Sequence, residues 1–401
     1  MEQLCQRLLS IPPPIDPVES PDSPPESILL DPSGYLSPRT NGTTAGGLRS
    51  SGKPILVTFW AASPPRVSCF TVHCPCDDPK LPVLRSVPKI LCSDDDLVLL
   101  RLPTCPRPPD DDDGFTVRAD ENENDYFVYE AGTAENKPPS LMLVPTPSNC
   151  NVEFHDDQIV ILRSDISETG RWSTRLMKVV GAPNYHRYRN SNKAIAIGGE
   201  RCSVGWVDLW RGILVCDLLP LDNPDELRYV ALPTPPTPKP EGDPTCSYVG
   251  LVALPGCVDT FQIKGWEAAK KTMKISSTMG SAANNNWEDN CAIRFSQVPV
   301  DSPTYAQMLP NLKPGDDGKI TLKKLRGGYP ALSLHDQDVV YIVNMPLLEE
   351  MQLPSVIALD MRNKAIKNVA YFGGTGRPIG YDFSYLQSGI SRHLPIRSST
   401  M

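Results

Sequence analysis

The chain has 401 residues, 40% of them hydrophobic and 21% charged, and carries a net charge of −8. Nucleic-acid-binding proteins usually carry a basic stripe, which this acidic sequence lacks, so we predict no nucleic acid among its partners. No segment has the roughly 18 consecutive apolar residues of a membrane-spanning helix, so we predict no membrane contact. The 43 prolines indicate many short elements joined by turns.

The first 27 residues are rich in proline, serine and acidic residues, and we predict a loosely ordered segment there. They do not have the basic start and long apolar core of a secretory signal. The sequence therefore predicts a cytoplasmic or nuclear protein with reduced thiols. A single β-rich domain is predicted over residues 28–395, followed by a tail at 396–401.

The first predicted strands come soon after this segment. ESILLDP has the composition of a strand, and KPILVTFWAASPPRVSCFTVHCP predicts two strands joined by a Ser-Pro-Pro turn. Between them, residues 37–53 are rich in glycine, serine and threonine, which predicts a loop. This loop contains Asn41 in the sequence NGT, a glycosylation acceptor that a chain without a secretory signal would not expose to the modifying enzymes.

Four later stretches share one pattern, in which a tight polar turn separates two strand-like runs. Their turns contain Asp94–Asp96, His155–Asp157, Leu209–Gly212 and His335–Asp338. A weaker copy, CVDTFQIKGWEAAKKTMKISS, lies near residue 270. The steps between the turns predict a repeat of about 60 residues, longer than the common propeller repeats.

The strand-like runs are apolar on both faces. In the run after Gly212, Ile213 and Val215 point one way, while Leu214, Cys216 and Leu218 point the other. Such strands suit sheets that stack face to face, as the blades of a propeller do. We predict an all-β fold, an irregular β-propeller of about five or six blades built from antiparallel hairpins. A large β-sandwich is the alternative.

Long segments interrupt the strand pattern at 106–125, 233–247 and 299–328. The first two are rich in proline and the first becomes strongly acidic, which is typical of exposed loops. The third is predicted to be an insertion with a short helix around Tyr305–Leu312. Loops of this kind could form a protein-binding surface on a propeller.

Metal and cofactor sites have weak support in the sequence. The cluster SCFTVHCPC, with Cys69, His73, Cys74 and Cys76, has neither CxxC spacing nor a second ligand pair, so we predict a strand that runs into a turn. GGTG at Gly373–Gly376 is followed by further turn residues and not by a helix start, which predicts a plain glycine loop. We predict no metal and no cofactor.

Catalytic motifs are missing as well, but acidic turn residues leave a hydrolase open as the alternative function. A glycosidase- or esterase-like site would bring its carboxylates together within about 10 Å at a central funnel. The carboxylates to test are Asp95, Asp156, Asp208, Asp217 and Asp336, and the candidate bases are His155 and His335. Turn residues of these types also serve the local backbone, so we predict no catalytic residue.

The stretch SVGWVDLWRGILVCDLLP, Ser203 to Pro220, is the most distinctive in the chain. Arg211-Gly212 is placed where a hairpin needs a turn, and Gly212 can adopt a positive φ there. Trp206 and Trp210 offer large apolar surfaces for packing one sheet on the next. We therefore predict a structural hairpin and not a reaction centre.

These strings resemble a known family. GWVDLWRGILVCDLL, LRYVALP, PALSLHDQDVVYIV and VIALDMRNKAIKNVAYF are similar to a plant family of uncharacterised proteins, domain of unknown function 1618, which is expanded in grasses. The resemblance extends over about residues 27–395, and its most characteristic part is 203–345. It implies no established activity and defines no catalytic or ligand residue. We predict a monomeric, non-enzymatic interaction scaffold whose partner is another protein.

Overall fold

The computed structural model describes residues 25–75, 84, 86–103, 124–132, 137–144, 158–165, 171–180, 193–198, 203–208, 212–217, 226–233, 247–254, 257–264, 267–274, 287–345, 353–372 and 384–394. The chain divides into two compact units. Unit 1 contains Met1–Cys150, Ile166–Arg171 and Gly373–Met401, and unit 2 contains Asn151–Asp165 and Trp172–Phe372. Within the described ranges, no helix is both long and apolar enough to cross a membrane.

Unit 1 contains two sheets. Sheet 1 has six strands, β1 (Ile28–Leu30), β2 (Tyr35–Leu36), β3 (Ala45–Leu48), β4 (Pro54–Trp60), β5 (Val67–His73) and β24 (Leu386–Ser388), in the order β24-β1-β5-β4-β3 with β2 also on β5. Sheet 2 is an antiparallel meander of β6 (Lys89–Asp94), β7 (Leu97–Pro103), β8 (Asn124–Glu130) and β9 (Ser140–Val144). A 3-10 helix, Ile390–Arg392, follows β24.

Sheet 1 joins strands from the two ends of the described chain. β1 pairs antiparallel with β24, with Ile28 opposite Ser388, and parallel with β5, with Leu29 opposite Val67. Ile390, just after β24, is fully buried in the core of unit 1. The first and last described segments are therefore both part of this unit's folded structure.

Aromatic packing fills the core of unit 1. The rings of Phe59 and Tyr129, on β4 and β8, lie 4.5 Å apart between centroids, and both side chains are fully buried. The Tyr129 hydroxyl donates to the carbonyl of Thr43 over 2.7 Å. Burial raises the pKa of Tyr129, so its phenol stays protonated and keeps donating to this carbonyl.

Unit 2 contains three sheets. Sheet 3 has β10 (Gln158–Asp165), β11 (Arg171–Val180), β12 (Lys193–Gly198), β13 (Ser203–Asp208), β14 (Gly212–Asp217) and β15 (Glu226–Ala231), in the order β10-β11-β15-β14-β13-β12. Sheet 4 is the meander β16 (Ser247–Leu254), β17 (Cys257–Lys264), β18 (Glu267–Lys274) and β19 (Glu288–Arg294). Sheet 5 is the meander β20 (Gly327–Leu332), β21 (Val339–Asn344), β22 (Ser355–Asp360) and β23 (Ala365–Tyr371).

A short helical segment lies between sheets 4 and 5 in the sequence. It contains α1 (Pro303–Met308) and the 3-10 helices Phe295–Gln297 and Leu322–Lys324. Ser302 is the N-cap of α1, and Pro303 supplies the fixed φ that suits a first helical position. A helix is present where one was predicted, but it begins before Tyr305 and ends before Leu312.

Sheet 4 is buried on both faces, because its strands alternate between two apolar clusters. On β17, Val258 packs with sheet 3 residues such as Ile213, whereas Phe261 packs with sheet 5 residues such as Ile342. At one point the backbones of β16 and β20 come very close, since a Cβ on Gly250 would lie 2.1 Å from the Pro330 carbonyl oxygen. Only glycine permits this approach.

The five sheets confirm the predicted fold class, an all-β irregular propeller with five blades built mainly from antiparallel hairpins. The hairpins predicted around Asp94–Asp96, Leu209–Gly212 and His335–Asp338 are present, as is the weaker copy near residue 270. His155–Asp157 lies outside the described residues. The single domain predicted over 28–395 stays a prediction.

The predicted repeat of about 60 residues is wrong. The turn at Asp95 joins the first and second strands of its sheet, whereas the turn near residue 265 joins the second and third strands of sheet 4. The turns that define the apparent period therefore occupy different positions in their sheets. A hairpin pattern reports local pairing and does not show where a sheet begins.

The loop predicted over residues 37–53 contains a strand, β3. Gly46 and Gly47 give it a low intrinsic strand propensity. β3 pairs with β4 in register, and a Cβ on Gly47 would lie 2.9 Å from the Leu141 carbonyl oxygen on β9. Close tertiary packing thus determines a strand that composition alone disfavours.

Candidate functional site

The β6–β7 turn holds the first of the candidate carboxylates. Asp95 adopts a left-handed φ of 45° there, and its Oδ1 lies 2.8 Å from His393 Nε2 and 3.1 Å from Arg392 Nη2. The Asp95 side chain is 61% exposed. The pKa of neighbouring Asp94 is raised by partial burial and by the carboxylates of Asp95 and Asp96. Asp95 thus connects this turn to the C-terminal segment of unit 1.

Asp208 and Asp217 lie at opposite ends of the β13–β14 hairpin. Asp208 is opposite Gly212, and Asp217 is opposite Ser203 at the other end of the ladder. Five residues of strand therefore separate them, which is about 17 Å. Asp217 Oδ1 accepts a hydrogen bond from Ser203 Oγ at 2.5 Å and forms an ion pair with Arg228 at 2.8 Å. This separation excludes a carboxylate pair made of these two residues.

The His335–Asp338 turn uses its polar groups to hold its own shape. Asp336 Oδ1 accepts from the Asp338 amide at 3.1 Å, and Asp336 Oδ2 accepts from Lys367 Nζ at 2.9 Å. The Lys367 hydrogen bond lowers the pKa of Asp336, although slight burial opposes it. Both oxygens of this carboxylate are engaged, so Asp336 is not set up to orient His335 as a base.

The predicted carboxylates are thus placed in separate turns. Asp95 lies in sheet 2, Asp208 and Asp217 in sheet 3, and Asp336 in sheet 5. Asp156 and His155 lie outside the described residues. Each of Asp95, Asp217 and Asp336 contacts a basic side chain of its own unit. The described members therefore do not supply a ready pair of catalytic carboxylates.

A serine–lysine contact that sequence reasoning missed lies in unit 1. Lys89 Nζ donates to Ser33 Oγ over 2.6 Å, which is within the range of a nucleophile and its base. Beside it, Asp31 Oδ1 accepts from the Ser33 amide at 2.9 Å, and Asp31 Oδ2 accepts from the Tyr35 hydroxyl at 3.1 Å. Residues 56 positions apart in the sequence form this contact, so no local motif could have predicted it.

Burial makes this serine–lysine pair structural. Ser33 and Asp31 are each 1% exposed, so a substrate would not reach the serine oxygen. The segment also forms backbone hydrogen bonds with the start of β6, from Ile90 to the Pro32 carbonyl at 2.8 Å and from Gly34 to the Pro88 carbonyl at 2.9 Å. The polar cluster thus ties the segment after β1 to sheet 2.

A second buried polar cluster, also missed from the sequence, lies in unit 2. Lys270 Nζ lies 2.8 Å from Asp259 Oδ2, and the two side chains are only 3% and 4% exposed. Thr272 donates to the other Asp259 oxygen at 2.6 Å, and Lys270 donates to the carbonyl of Gln337 at 2.8 Å. The last contact joins sheet 4 to the His335–Asp338 turn of sheet 5.

The strand register explains how a lysine comes to lie in this core. Lys270 is opposite Phe261 on β17 and opposite Cys291 on β19, so it shares a face with both. Its neighbour Lys271 lies on the other face and is more exposed. In EAAKKTMK the two lysines look alike, and only the alternation with Ala268 could have suggested which one points inward.

Two cysteines flank the Lys270–Asp259 pair. Burial raises the pKa of Cys257 and of Cys291, and the positive charge of Lys270 partly opposes both shifts. Cys291 Sγ lies 3.7 Å from the sulfur of Met361. Thiols with a raised pKa are poor nucleophiles, so this cluster does not have the character of a thiol active site.

The cysteines of the SCFTVHCPC cluster belong to different apolar groups. Cys69 packs with Tyr35 and Trp60, whereas Cys74 lies in the main core of unit 1. β5 ends at His73, so a strand ends within this cluster, as predicted. Over the described part of the chain, no three His, Cys, Asp or Glu side chains are grouped as metal ligands would be. Cys76 and Gly373–Gly376 lie outside the described residues.

Asn41 is committed to the fold through both ends of its amide. Its Nδ2 donates to the Phe59 carbonyl at 2.9 Å, and its Oδ1 accepts from the amide and hydroxyl of Thr43 at 2.7 Å each. The NGT sequence therefore serves as a turn motif that supports the edge of sheet 1.

The hairpin predicted within Ser203–Pro220 is present, and its described side chains pack on both faces of sheet 3. Ile213 and Val215 pack with sheet 4, while Cys216 packs on the opposite face with Trp206. Gly212 does not use the positive φ that is open to a glycine, since it is the first residue of β14. A Cβ there would lie 2.5 Å from the Val230 carbonyl oxygen, so close packing against β15 requires the glycine. Trp210 and Leu218 lie outside the described residues.

An apolar cleft between sheets 3 and 4 is too small for a ligand. The volume open to the centre of a water molecule is about 10 Å³, which is about enough for a single water. Its walls are formed by Ile197, Ile213, Val215, Arg228, Val230, Val258 and Met273. The cleft is a packing gap between the two sheets.

Part of this chain matches the model of one protein family. Residues 206–341 match the family model described as "Protein of unknown function (DUF1618)". The match covers about a third of the chain and includes the second half of β13, β14, sheet 4 and most of the β20–β21 hairpin. It supports the resemblance to domain of unknown function 1618 over these residues and assigns no activity. No curated protein matches the chain.

Two solved structures show a distant likeness to the chain. A crystal structure of a protein from Lactobacillus plantarum has 8% identity and a TM-score of 0.29, and the alignment covers 90% of this chain and 86% of that one. A chain from a structural and mechanistic analysis of two prolyl endopeptidases has 10% identity and a TM-score of 0.29, with 82% of this chain and 41% of that one covered. This chain spans less than half of that endopeptidase chain.

Proposed function

We propose that the chain is a non-enzymatic protein-interaction scaffold that presents loops from a β-propeller-type framework. The observation that carries the proposal is the use of its reactive side chains. Asp217 and Asp336 form ion pairs within their own sheets, and Ser33 is buried beside Lys89. These three side chains are of types that can act as acid, base or nucleophile, and here they stabilise the fold.

The proposed binding elements are the segments 106–125, 233–247 and 299–328. Most of the first two lies outside the described residues, and the third contains the exposed stretch 313–319. Loops on a rigid framework can vary in sequence without loss of the core, and they commonly carry binding functions. We further propose a monomer, of plant origin and located in the cytoplasm or nucleus, that uses neither a cofactor nor nucleic acid.

Partner capture with loop-replacement variants tests this proposal. The full chain would be immobilised, cross-linked to bound proteins and compared with three variants, each with one segment replaced by a Gly/Ser linker. We expect at least one reproducible partner to be lost with one particular loop. Glu288→Gln with Asp289→Asn on β19 is the matched control, because it changes exposed charge outside the three segments.

The proposal fails if every reproducible partner remains bound to all three loop variants. A hydrolase is the alternative, and a screen of nitrophenyl glycosides and esters addresses it directly. Turnover by the full chain that disappears in Asp217→Asn or Asp336→Asn would establish the enzyme and replace the scaffold proposal. Size-exclusion chromatography with light scattering tests the monomer.

A further inference from the structure

The insertion at 299–328 is anchored to unit 2 by buried side chains and hydrogen bonds. Buried leucines fix its inner side, namely Leu309, Leu312, Leu322 and Leu325, which are between 0% and 6% exposed. Asn311 exchanges two amide hydrogen bonds of 3.1 Å with Asn344 on β21. The Tyr305 hydroxyl donates to the carbonyl of Lys367 on β23 at 3.2 Å. The outer side of the insertion is therefore presented in a fixed conformation.

The exposed part of the insertion is a hydrogen-bonded turn. Gly315 donates to the Lys319 carbonyl at 2.9 Å, and Gly318, with a φ of +75°, donates to the Gly315 carbonyl at 2.9 Å. Every residue from Lys313 to Lys319 is exposed. A turn that is already ordered loses little conformational entropy when a partner binds.

The basic side chains of unit 2 fall into two groups. Those outside the insertion whose side chains the structure describes all have an acidic or polar partner. They are Arg228, Lys270, Lys271, Lys274, Arg294, Arg362, Lys364 and Lys367, paired with Asp217, Asp259, Asp289, Glu288, Glu267, Asp338, Gln297 and Asp336.

The insertion differs from the rest of the unit in this respect. Lys313, Lys319, Lys323 and Arg326 are exposed, and their side chains have no hydrogen-bond or ion-pair partner among the described residues. The chain has a net charge of −8, so four unpaired cations between residues 313 and 326 are a local concentration of positive charge. We call Lys313, Lys319, Lys323 and Arg326 the basic surface.

We infer that the basic surface binds an acidic segment of a partner protein. The inference rests on the proposed scaffold function and names the surface and the chemistry of its partner. Carboxylates of the partner would form the ion pairs that the cations of sheets 3, 4 and 5 already have. Electrostatic complementarity of this kind determines which partner associates and how fast.

A protein segment fits this surface better than a nucleic acid does. Asp316 and Asp317 lie at the turn between Lys313 and Lys319, and a continuous phosphate backbone would pass close to both. A short acidic peptide can place its carboxylates near Lys319, Lys323 and Arg326 and avoid the two aspartates.

Binding of a labelled acidic peptide tests the inference. The probe is a fluorescein-labelled oligoglutamate of about ten residues, which spans about 33 Å when extended. Fluorescence anisotropy with the full chain should show binding that weakens as salt is raised, since ion pairs at the surface are screened. Lys313→Gln, Lys319→Gln, Lys323→Gln and Arg326→Gln together should weaken binding roughly fivefold or more.

The matched control removes four paired cations, Lys271→Gln, Lys274→Gln, Arg294→Gln and Lys367→Gln. It changes the net charge of the chain equally, so it measures general electrostatic attraction, and we expect less than about a twofold loss. Both variants alter exposed or partly exposed side chains and should keep the parent unfolding midpoint. Lys319→Gln with Lys323→Gln is a smaller second variant for the same comparison.

Three results would overturn the inference. They are no binding of the peptide, an equal loss in the insertion variant and its control, or tighter binding of a single-stranded oligonucleotide of equal charge at the same salt. Failure here is distinguishable from failure of the scaffold proposal. Partners captured by the full chain and retained by the insertion variant would leave the scaffold standing and remove only the basic surface.

Discussion

Two lysine–aspartate pairs hold the same turn of sheet 5 from different sides. Lys270 reaches it from the face of sheet 4 that packs on sheet 5. Its ammonium group donates to the Gln337 carbonyl and also pairs with Asp259. Lys367 reaches it from β23 and pairs with Asp336, where the two side chains are 48% and 46% exposed. The chemistry is the same, and only the solvent around the pair differs.

The difference in solvent exposure predicts that the two pairs differ in how much stability is lost when one partner is removed. An exposed ion pair gains little, because water competes for both charges and salt screens them. A buried pair requires both charges to leave water, and each charge then depends on the other. Removing one partner of the Lys270–Asp259 pair should therefore destabilise the protein strongly. Removing one partner of the Lys367–Asp336 pair should change the stability very little.

Removing the buried lysine should have the largest effect. Lys270→Met leaves Asp259 charged and unpaired in the core, which should lower the free energy of unfolding by about 3–5 kcal/mol. Urea denaturation followed by tryptophan fluorescence would measure it. Trp287, whose indole donates to the Ala231 carbonyl at 2.9 Å, is a reporter near sheets 3 and 4.

The double variant Lys270→Met with Asp259→Leu sharpens this test. It removes both charges and leaves apolar side chains of similar size, so most of the lost stability should return. A double variant as unstable as Lys270→Met alone would show that the Gln337 contact, and not the buried charge, holds the sheets together.

Adding a methyl group between sheets 4 and 5 should cause the next largest loss of stability. Gly250→Ala places a methyl group 2.1 Å from the Pro330 carbonyl oxygen, so the two strands must separate. We expect a loss of about 1–3 kcal/mol, typical of overpacking, measured in the same urea experiment. Gly46→Ala is the control, because the nearest atom to its Cβ is a side-chain carbon of Leu56 at 3.4 Å. Equal losses in the two variants would mean that the strand propensity of the residue, and not the close contact, determines the loss of stability.

These contacts show which parts of the fold could be predicted from the sequence. The β13–β14 and β20–β21 hairpins are local, and the alternation of apolar residues with turn residues between them is enough to predict them. β3 was missed because its glycines carry no strand signal and its pairing depends on β4 and on a neighbour in sheet 2.

The polar clusters could not be predicted, for a related reason. Ser33 and Lys89 come together only through the arrangement of sheets 1 and 2, and Lys270 meets Gln337 only where sheets 4 and 5 pack. The sequence instead drew attention to acidic turns, whose residues are conspicuous because they are local and exposed. In this fold, the polar residues with reactive side chains are thus recognised by their burial and by the groups they contact, and not by a sequence motif.

The exposed pair should contribute little, and its contribution should depend on pH. Asp336→Asn removes the carboxylate that Lys367 contacts, and we expect a loss of at most about 0.5 kcal/mol, since both side chains are about half exposed. The pKa of Asp336 is lowered by Lys367, so its stabilisation is complete above the ordinary aspartate pKa and is lost as pH falls through the lowered value.

Unfolding of Asp336→Asn should therefore differ from the parent at pH 7. The difference should begin to shrink below about pH 3.8 and vanish once the pH is below the lowered pKa of Asp336. Asp338 is a useful comparison within the same turn, since it pairs with Arg362 at 3.0 Å. A loss in Asp336→Asn as large as in Lys270→Met would contradict the comparison, because exposure would then have no bearing on what a lysine–aspartate pair contributes.

The smallest expected effect is on the reactivity of Cys291. Burial raises its pKa and Lys270 partly lowers it, so replacing the lysine should raise the pKa further and slow alkylation by a few-fold. The measurement is the rate of iodoacetamide labelling at pH 8, followed by peptide mass spectrometry, in the double variant Lys270→Met with Asp259→Leu, which should stay folded. Faster labelling would mean that β19 opens when the charges are removed, so the pair would also keep this edge of sheet 4 closed. Slower labelling would mean that Lys270 acts on the thiol through its charge alone, as its cross-strand position opposite Cys291 predicts.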